Sequence, residues 1–186
     1  MASIKLLKAF GCNIIAFSRS VRDEVAGMGV KYCTLETLMK QSDIISIHVP
    51  LNNETFHLIS KEMIALMKPT AILINTARGA LVVEEDLYEA CKNGVITAAG
   101  LDAIRQEPVD PKNPLLTLDN VIIYPHIGGN TVEAAHRASY FSAMGIQEVY
   151  EGKEPTWPIH NIDYTTAKTY DDVKKPDKKP AGMFDF

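Results

Sequence analysis

Four polar residues stand just beyond apolar runs rich in Ile and Val. Arg78 follows "AILINT", Asp102 follows "VITAAGL" with Glu107 close behind, and His126 follows "NVIIYP" with Gly128 and Gly129 after it. In open α/β sheets, ligands sit beyond the carboxyl ends of the strands, so this pattern gathers a guanidinium, two carboxylates and an imidazole at one functional edge. Taken singly, each is ordinary, because loop acids and cations are usually solvated and an isolated histidine is usually structural. At successive strand ends they form an acid-base set, and the chemistry that suits them is hydride transfer to a 2-keto acid. A ketone that accepts hydride develops alkoxide charge, and histidine, with an unperturbed pKa of about 6.5, is suited to neutralise it. A carboxylate on the imidazole favours its protonated form and fixes its tautomer, the part that falls to Glu107. Arg78 offers a planar fork that holds a substrate carboxylate through two parallel hydrogen bonds, which lysine cannot copy.

The elements that must position these residues alternate along the chain. "NIIAF", "VKYC", "DIISIHV", "AILINT", "VITAAGL" and "NVIIYP" predict strands; "EVAGMG", "LETLMKQ", "SKEMIALM", "EEDLYEACKNG" and residues 130–152 predict helices. The strands are apolar throughout, which is expected when helices cover both faces of a parallel sheet. The pattern is that of a doubly wound α/β fold. Asn130 followed by Glu133 predicts a capping box for the long final helix, and Gly152 its end. The opening stretch "ASIKLLKAFG" carries Ile4, Leu6, Leu7 and Phe10 at helical spacing with Gly11 as the C-cap. Nothing before it supplies an N-cap, which predicts that the chain continues a longer fold. The expected organisation is a partial dinucleotide-binding domain over 1–130, a long helix with a remnant of a second domain over 131–162, and a disordered tail over 163–186. The terminal "MFDF" has a second reading as a docking peptide.

Composition removes several classes. A net charge of -4 gives no electrostatic footprint for nucleic acid or an anionic membrane surface, and no apolar run approaches the roughly 20 residues that span a bilayer. A cytoplasmic protein is the default expectation, with an organelle lumen as the other reading. Cys12, Cys33 and Cys91 lie far apart, and the five histidines are dispersed, so neither a disulfide framework nor a metal site is expected.

The segments "DIISIHVPLNNETFHLI", "INTARGALVVEEDLYEAC" and "GLDAIRQEPVDPKNPLLTLDNVIIYPHIGG" resemble the nucleotide-binding domain of the D-isomer-specific 2-hydroxyacid dehydrogenases, whose members act on phosphoglycerate, lactate, glyoxylate or hydroxypyruvate. The likeness runs over residues 1–152. It implies that Arg78 contacts substrate, that Glu107 pairs with His126, and that His126 is the acid-base. It further implies that Asp102 hydrogen-bonds the nicotinamide carboxamide and that Val49, Pro50, Thr76 and Ala77 line the cofactor groove, next to His126, Gly128 and Gly129. The family's first strand and glycine-rich phosphate turn precede the pattern found at Met1, so the likeness implies a chain lacking both, together with most of the substrate domain. A chain so shortened is expected to bind dinucleotide poorly and to turn over no keto acid. Where NAD-preferring sites carry an acid for the adenosine ribose, this chain has Ser18 and Arg19. That predicts NAD(P) binding with NADP(H) favoured; the other reading is that Arg19 stacks on adenine and either cofactor serves. A homodimer is implied for the full-length enzyme. Two further readings stay open, an inactive remnant and a dinucleotide-binding interaction protein like certain transcriptional corepressors. Which 2-hydroxy acid is used depends on residues outside these motifs.

Overall fold

The computed structural model describes residues 1–158, so the expected tail over 163–186 lies outside the described residues. The chain divides into two compact units, one over Met1–Thr131 and one from Val132 onward.

The first unit holds six parallel strands in two sets. β1 (Ile15–Ala16) pairs with β2 (Lys31–Tyr32), while β3 (Ile44–Ile47), β4 (Ile72–Asn75), β5 (Ala98–Leu101) and β6 (Val121–Ile123) form a four-stranded sheet in that order. Ile44 lies opposite Ile72, Ile72 opposite Ala98, and Ala99 opposite Val121. This register aligns the carboxyl ends of β3, β4 and β5. α1 (Ala2–Ala9) precedes β1, and between the strands run α2 (Asp23–Gly27), α3 (Leu35–Gln41), α4 (Lys61–Ile64) and α5 (Glu84–Lys92). Local chemistry explains two of the boundaries. Thr34 caps α3, its hydroxyl accepting from the Thr37 amide at 3.2 Å, as a good N-cap should. α5 opens on Glu84, Glu85 and Asp86 and closes on Lys92, charges that complement the helix dipole at both ends.

One core unites α3, α4 and α5 with the four-stranded sheet. Met39 from α3, Ile64 from α4 and Leu87, Ala90 and Cys91 from α5 pack with Ile45, Ile47, Leu73, Ala99 and Leu101 of the sheet. The α5 residues fall at helical spacing, so one stripe of the helix faces the sheet.

Three sequence expectations change here. The strands are apolar along their whole length, but burial alternates along β3, β4 and β5, and Ile44 is 59% exposed. The amphipathic α1 buries no residue, and its C-cap is Phe10, with Gly11 beyond it at φ 76°, a conformation glycine adopts without strain. In the second unit, α6 spans Val132–Tyr150, so Thr131 and not Asn130 immediately precedes it. The Asn130 amide instead donates to the Ile127 carbonyl at 2.9 Å, closing the turn after His126. No described helix is long and apolar enough to cross a membrane, and no cluster of His, Cys, Asp and Glu among the described residues is placed to hold a metal ion.

Candidate active site

Arg78 sits on a turn shaped by Asn75, the last residue of β4. Asn75 is only 1% exposed, and both ends of its amide are engaged. Oδ1 accepts from the Ala77 N–H at 3.0 Å, and Nδ2 donates to the Arg78 carbonyl at 2.9 Å. A buried asparagine thus substitutes for backbone partners where the strand ends, and it fixes the Cα of Arg78 over the sheet edge. The Arg78 side chain is exposed, and one guanidinium nitrogen donates to the Ala77 carbonyl at 2.7 Å. Arg78 and Ala77 line a cleft with His48, Val49, Pro50 and Leu51, at the carboxyl ends of β3 and β4. Thr76 is exposed on the same turn.

The loop after β5 brings in both acids. Asp102 turns its carboxylate toward the backbone of the neighbouring turn, where Oδ1 accepts from Ile127 N–H at 3.0 Å and Oδ2 from Gly128 N–H at 2.9 Å. Gly128 is required for this approach, because a Cβ there would lie 2.7 Å from Oδ2. Gly129 has open space around it and offers its carbonyl to the Thr131 amide at 3.1 Å. The turn held in this way carries His126 at φ 56°, a left-handed conformation uncommon for a side chain larger than glycine. Two backbone amides bound by one carboxylate offset that strain.

His126 Nδ1 meets Glu107 Oε2 at 2.8 Å, with both side chains 40% exposed. The other carboxylate oxygen, Oε1, accepts from the Ile104 amide at 3.2 Å. The Glu107 carboxyl is held below its ordinary value, first by the hydrogen bond from His126, with the Ile104 amide and the charges of His126 and Arg78 adding to it against a desolvation penalty. Arg78, Glu107 and His126 therefore share one electrostatic neighbourhood, although they come from three separate strand ends. An ionised Glu107 can only accept, so the hydrogen between the pair belongs to Nδ1.

Ser18 and Arg19 lie apart from this group. The Ser18 hydroxyl donates to the Ser20 carbonyl at 2.5 Å, and Arg19 pairs with Glu54 at 3.3 Å, their side chains 84% and 71% exposed. Sequence reasoning passed over Asn75 and Glu84, two polar residues buried by the fold. Both sit inside the quoted motifs, and the only available signal for Asn75 was an amide closing the apolar run "AILIN".

A parallel sheet with helices between its strands, and with an imidazole–carboxylate pair and a guanidinium beyond its carboxyl edge, has the architecture of a Rossmann-like nucleotide-binding domain. Residues 1–128 match the family described as "D-isomer specific 2-hydroxyacid dehydrogenase, NAD binding domain", and the chain belongs to that family. It is 49% identical over 153 residues to a D-3-phosphoglycerate dehydrogenase of Methanocaldococcus jannaschii, covering 81% of this chain and 29% of that protein. It is 42% identical over 157 residues to a glyoxylate reductase of Thermofilum pendens, covering 83% and 46%. The structure of D-lactate dehydrogenase with NAD+ from Lactobacillus jensenii superimposes with a TM-score of 0.79 at 30% identity, over 86% of this chain and 52% of that one. The chain spans about half or less of the length of each of these relatives.

Proposed function

We propose that this chain provides the nicotinamide-binding and acid-base half of an oxidoreductase that interconverts D-2-hydroxy acids and 2-keto acids. The observation that carries the reading is the 2.8 Å contact between His126 Nδ1 and Glu107 Oε2 beside the Arg78 turn.

The residues at the cleft fit the nicotinamide end of a dinucleotide. Val49, Pro50 and Ala77 give it apolar walls, and Asp102 retains lone pairs beyond the two that its backbone partners use. Thr76, His126, Gly128 and Gly129 complete the cradle in this assignment. A bound reduced nicotinamide supplies the hydride. The chain's own residues do the rest. With Nδ1 engaged by Glu107, the proton that His126 donates leaves from Nε2 and goes to the carbonyl oxygen as alkoxide charge appears there. Glu107 stays ionised and stabilises the imidazolium before that transfer. Arg78 holds the substrate carboxylate and so sets which carbonyl face is presented. In the oxidative direction the neutral imidazole takes the hydroxyl proton at the same Nε2.

In the adenosine part of the site, Arg19 supports a preference for NADP(H), since Ser18 and Arg19 stand at the strand end where NAD-preferring sites carry an acid; a 2'-phosphate there competes with Glu54 for the Arg19 guanidinium. The whole enzyme is read as a cytoplasmic homodimer. Its keto acid is selected by residues beyond those considered above.

The test is a graft. Residues 1–152 replace the matching segment of the Thermofilum pendens glyoxylate reductase, and oxidation of NADPH and NADH is followed with glyoxylate, hydroxypyruvate and pyruvate. Turnover is expected, and His126→Gln is expected to lower it by about 10²- to 10⁴-fold, the usual worth of a positioned general acid. A His126→Gln graft as active as its parent refutes the assignment.

A further inference from the structure

Glu84, the first residue of α5, is the one charged side chain among the described residues that the fold buries, at 9% exposure. Its carboxylate engages no cation by hydrogen bond. One oxygen accepts the backbone N–H of Arg105, and the other accepts from Asn113 Nδ2 at 3.3 Å. Asn113 cannot turn its amide over, because its Oδ1 accepts from the Leu115 N–H at 3.0 Å. The Arg105 guanidinium goes elsewhere, to Glu85 at 2.7 and 3.3 Å. Burying a carboxylate is costly unless hydrogen bonds replace its water, and here both replacements come from the segment that carries Glu107.

The geometry of that segment is tight. Ile104 N–H donates to Glu107 Oε1, and Arg105 N–H, one residue on, donates to Glu84. The same Ile104–Arg105 peptide rests on Gly79, where a Cβ would overlap the Ile104 carbonyl carbon and the Arg105 nitrogen.

We propose that Glu84 is a positioning residue for the His126–Glu107 pair: through the Arg105 amide and Asn113 it fixes the peptide from which Glu107 reaches the imidazole, and it joins the Arg78 turn to the Glu107 loop as one rigid piece. The role rests on the hydride-transfer reading only where the pair is called catalytic. The groups facing Glu107 are His126, Arg78 and the Ile104 amide, none of which Glu84 touches, so any effect of Glu84 on Glu107 is transmitted by the loop.

The experiment uses the 186-residue chain with glutamate side-chain carboxyls labelled with carbon-13, and reads the titration midpoint of Glu107 by NMR without requiring turnover. In the parent chain the midpoint is expected below the ordinary carboxylate value, because His126 and the Ile104 amide donate to the ionised carboxylate. Glu84→Ala is expected to move it up to that value, whereas Glu84→Gln, which keeps an acceptor oxygen for Arg105 N–H but sets its NH2 against Asn113 Nδ2, is expected to move it only part of the way. A folded Glu84→Ala chain with an unmoved Glu107 midpoint overturns the proposal. If Glu84→Ala does not fold, Glu84→Asp carries the same test, since it keeps the charge at the helix start and shortens the reach by one methylene. In the graft, Glu84→Ala is expected to reduce kcat by about 10- to 100-fold with little change in KM, as for a misplaced catalytic group. An inactive parent graft counts against the hydride-transfer reading alone, because the titration still responds to Glu84.

Discussion

Residues 1–43 and 44–123 of the first unit are built from similar strands and helices, yet they bury their side chains very differently. The first stretch buries Val25, Val30 and Met39, whereas the second supplies almost all of the remaining core, including Ile64, Leu73, Leu81, Leu87 and Ile96 at 0–1% exposure. α1 shows the open side of this contrast: its Leu6 and its C-cap Phe10 are 65% and 83% exposed. Arg78, Asp102 and Glu107 extend from the buried stretch and His126 from its end. The residues proposed for the adenosine end, Ser18 and Arg19, stand on the exposed one. The residues proposed for the chemistry are thus anchored where the packing is dense, while those proposed to sort the cofactor are not.

The sharpest break of this comparison is a pair of truncations. Leu73→Ala is expected to cost about 2–5 kcal/mol in urea unfolding, as for a fully buried leucine, and Phe10→Ala within about 0.5 kcal/mol, as for a surface position. Equal losses would erase the distinction. Thiol chemistry sharpens it further. Cys91 is buried and its thiol is pushed up to about 11 by desolvation, whereas Cys12 is exposed. Alkylation of the native chain, followed by mass spectrometry, is expected to mark Cys12 promptly and Cys91 only as fast as the chain unfolds.

The acid dependence of stability gives a smaller effect with a definite sign. Folding lowers the Glu107 value, so the stabilisation from its pairing with His126 is complete above the ordinary carboxylate value and is lost as pH falls through the lowered folded one. The stability gap between the parent chain and Glu107→Gln is therefore expected to be widest above the ordinary carboxylate value and to close as pH falls through the lowered folded one. A gap that grows on acidification contradicts the pairing. The smallest effect belongs to the exposed stretch. Arg19→Ser removes an exposed pair with Glu54, so no measurable loss of stability is expected. In the graft the same change is expected to lower the ratio of kcat/KM for NADPH over NADH, and an unchanged ratio removes Arg19 from cofactor choice.

Much of this architecture is legible in the residue pattern, for reasons specific to each part. "DIISIHV", "AILINT" and "NVIIYP" identify β3, β4 and β6 because a buried parallel strand needs an unbroken apolar run, although the paired cores are shorter than those runs. "LETLMKQ" coincides with α3 because Thr34 marks its start chemically. The pairing of Glu107 with His126 was an expectation from their places at successive strand ends and from the family resemblance; in the structure the two side chains meet at 2.8 Å. The exposure of α1 was not readable, since periodicity reports which face is apolar and not what covers it. Glu84 and Asn75 were not readable either, because an acid or amide beside a turn has the same sequence signature whether it is solvated or clamped.

The contact at Gly79 has a consequence for anyone recombining this chain with its relatives. Not even a methyl group fits between the turn after β4 and the Ile104–Arg105 peptide, so these two connections tolerate exchange only as a matched cassette. Transplanting one without the other exchanges a fitted surface for a collision, and the damage would surface as a displaced imidazole partner far from the junction that was cut.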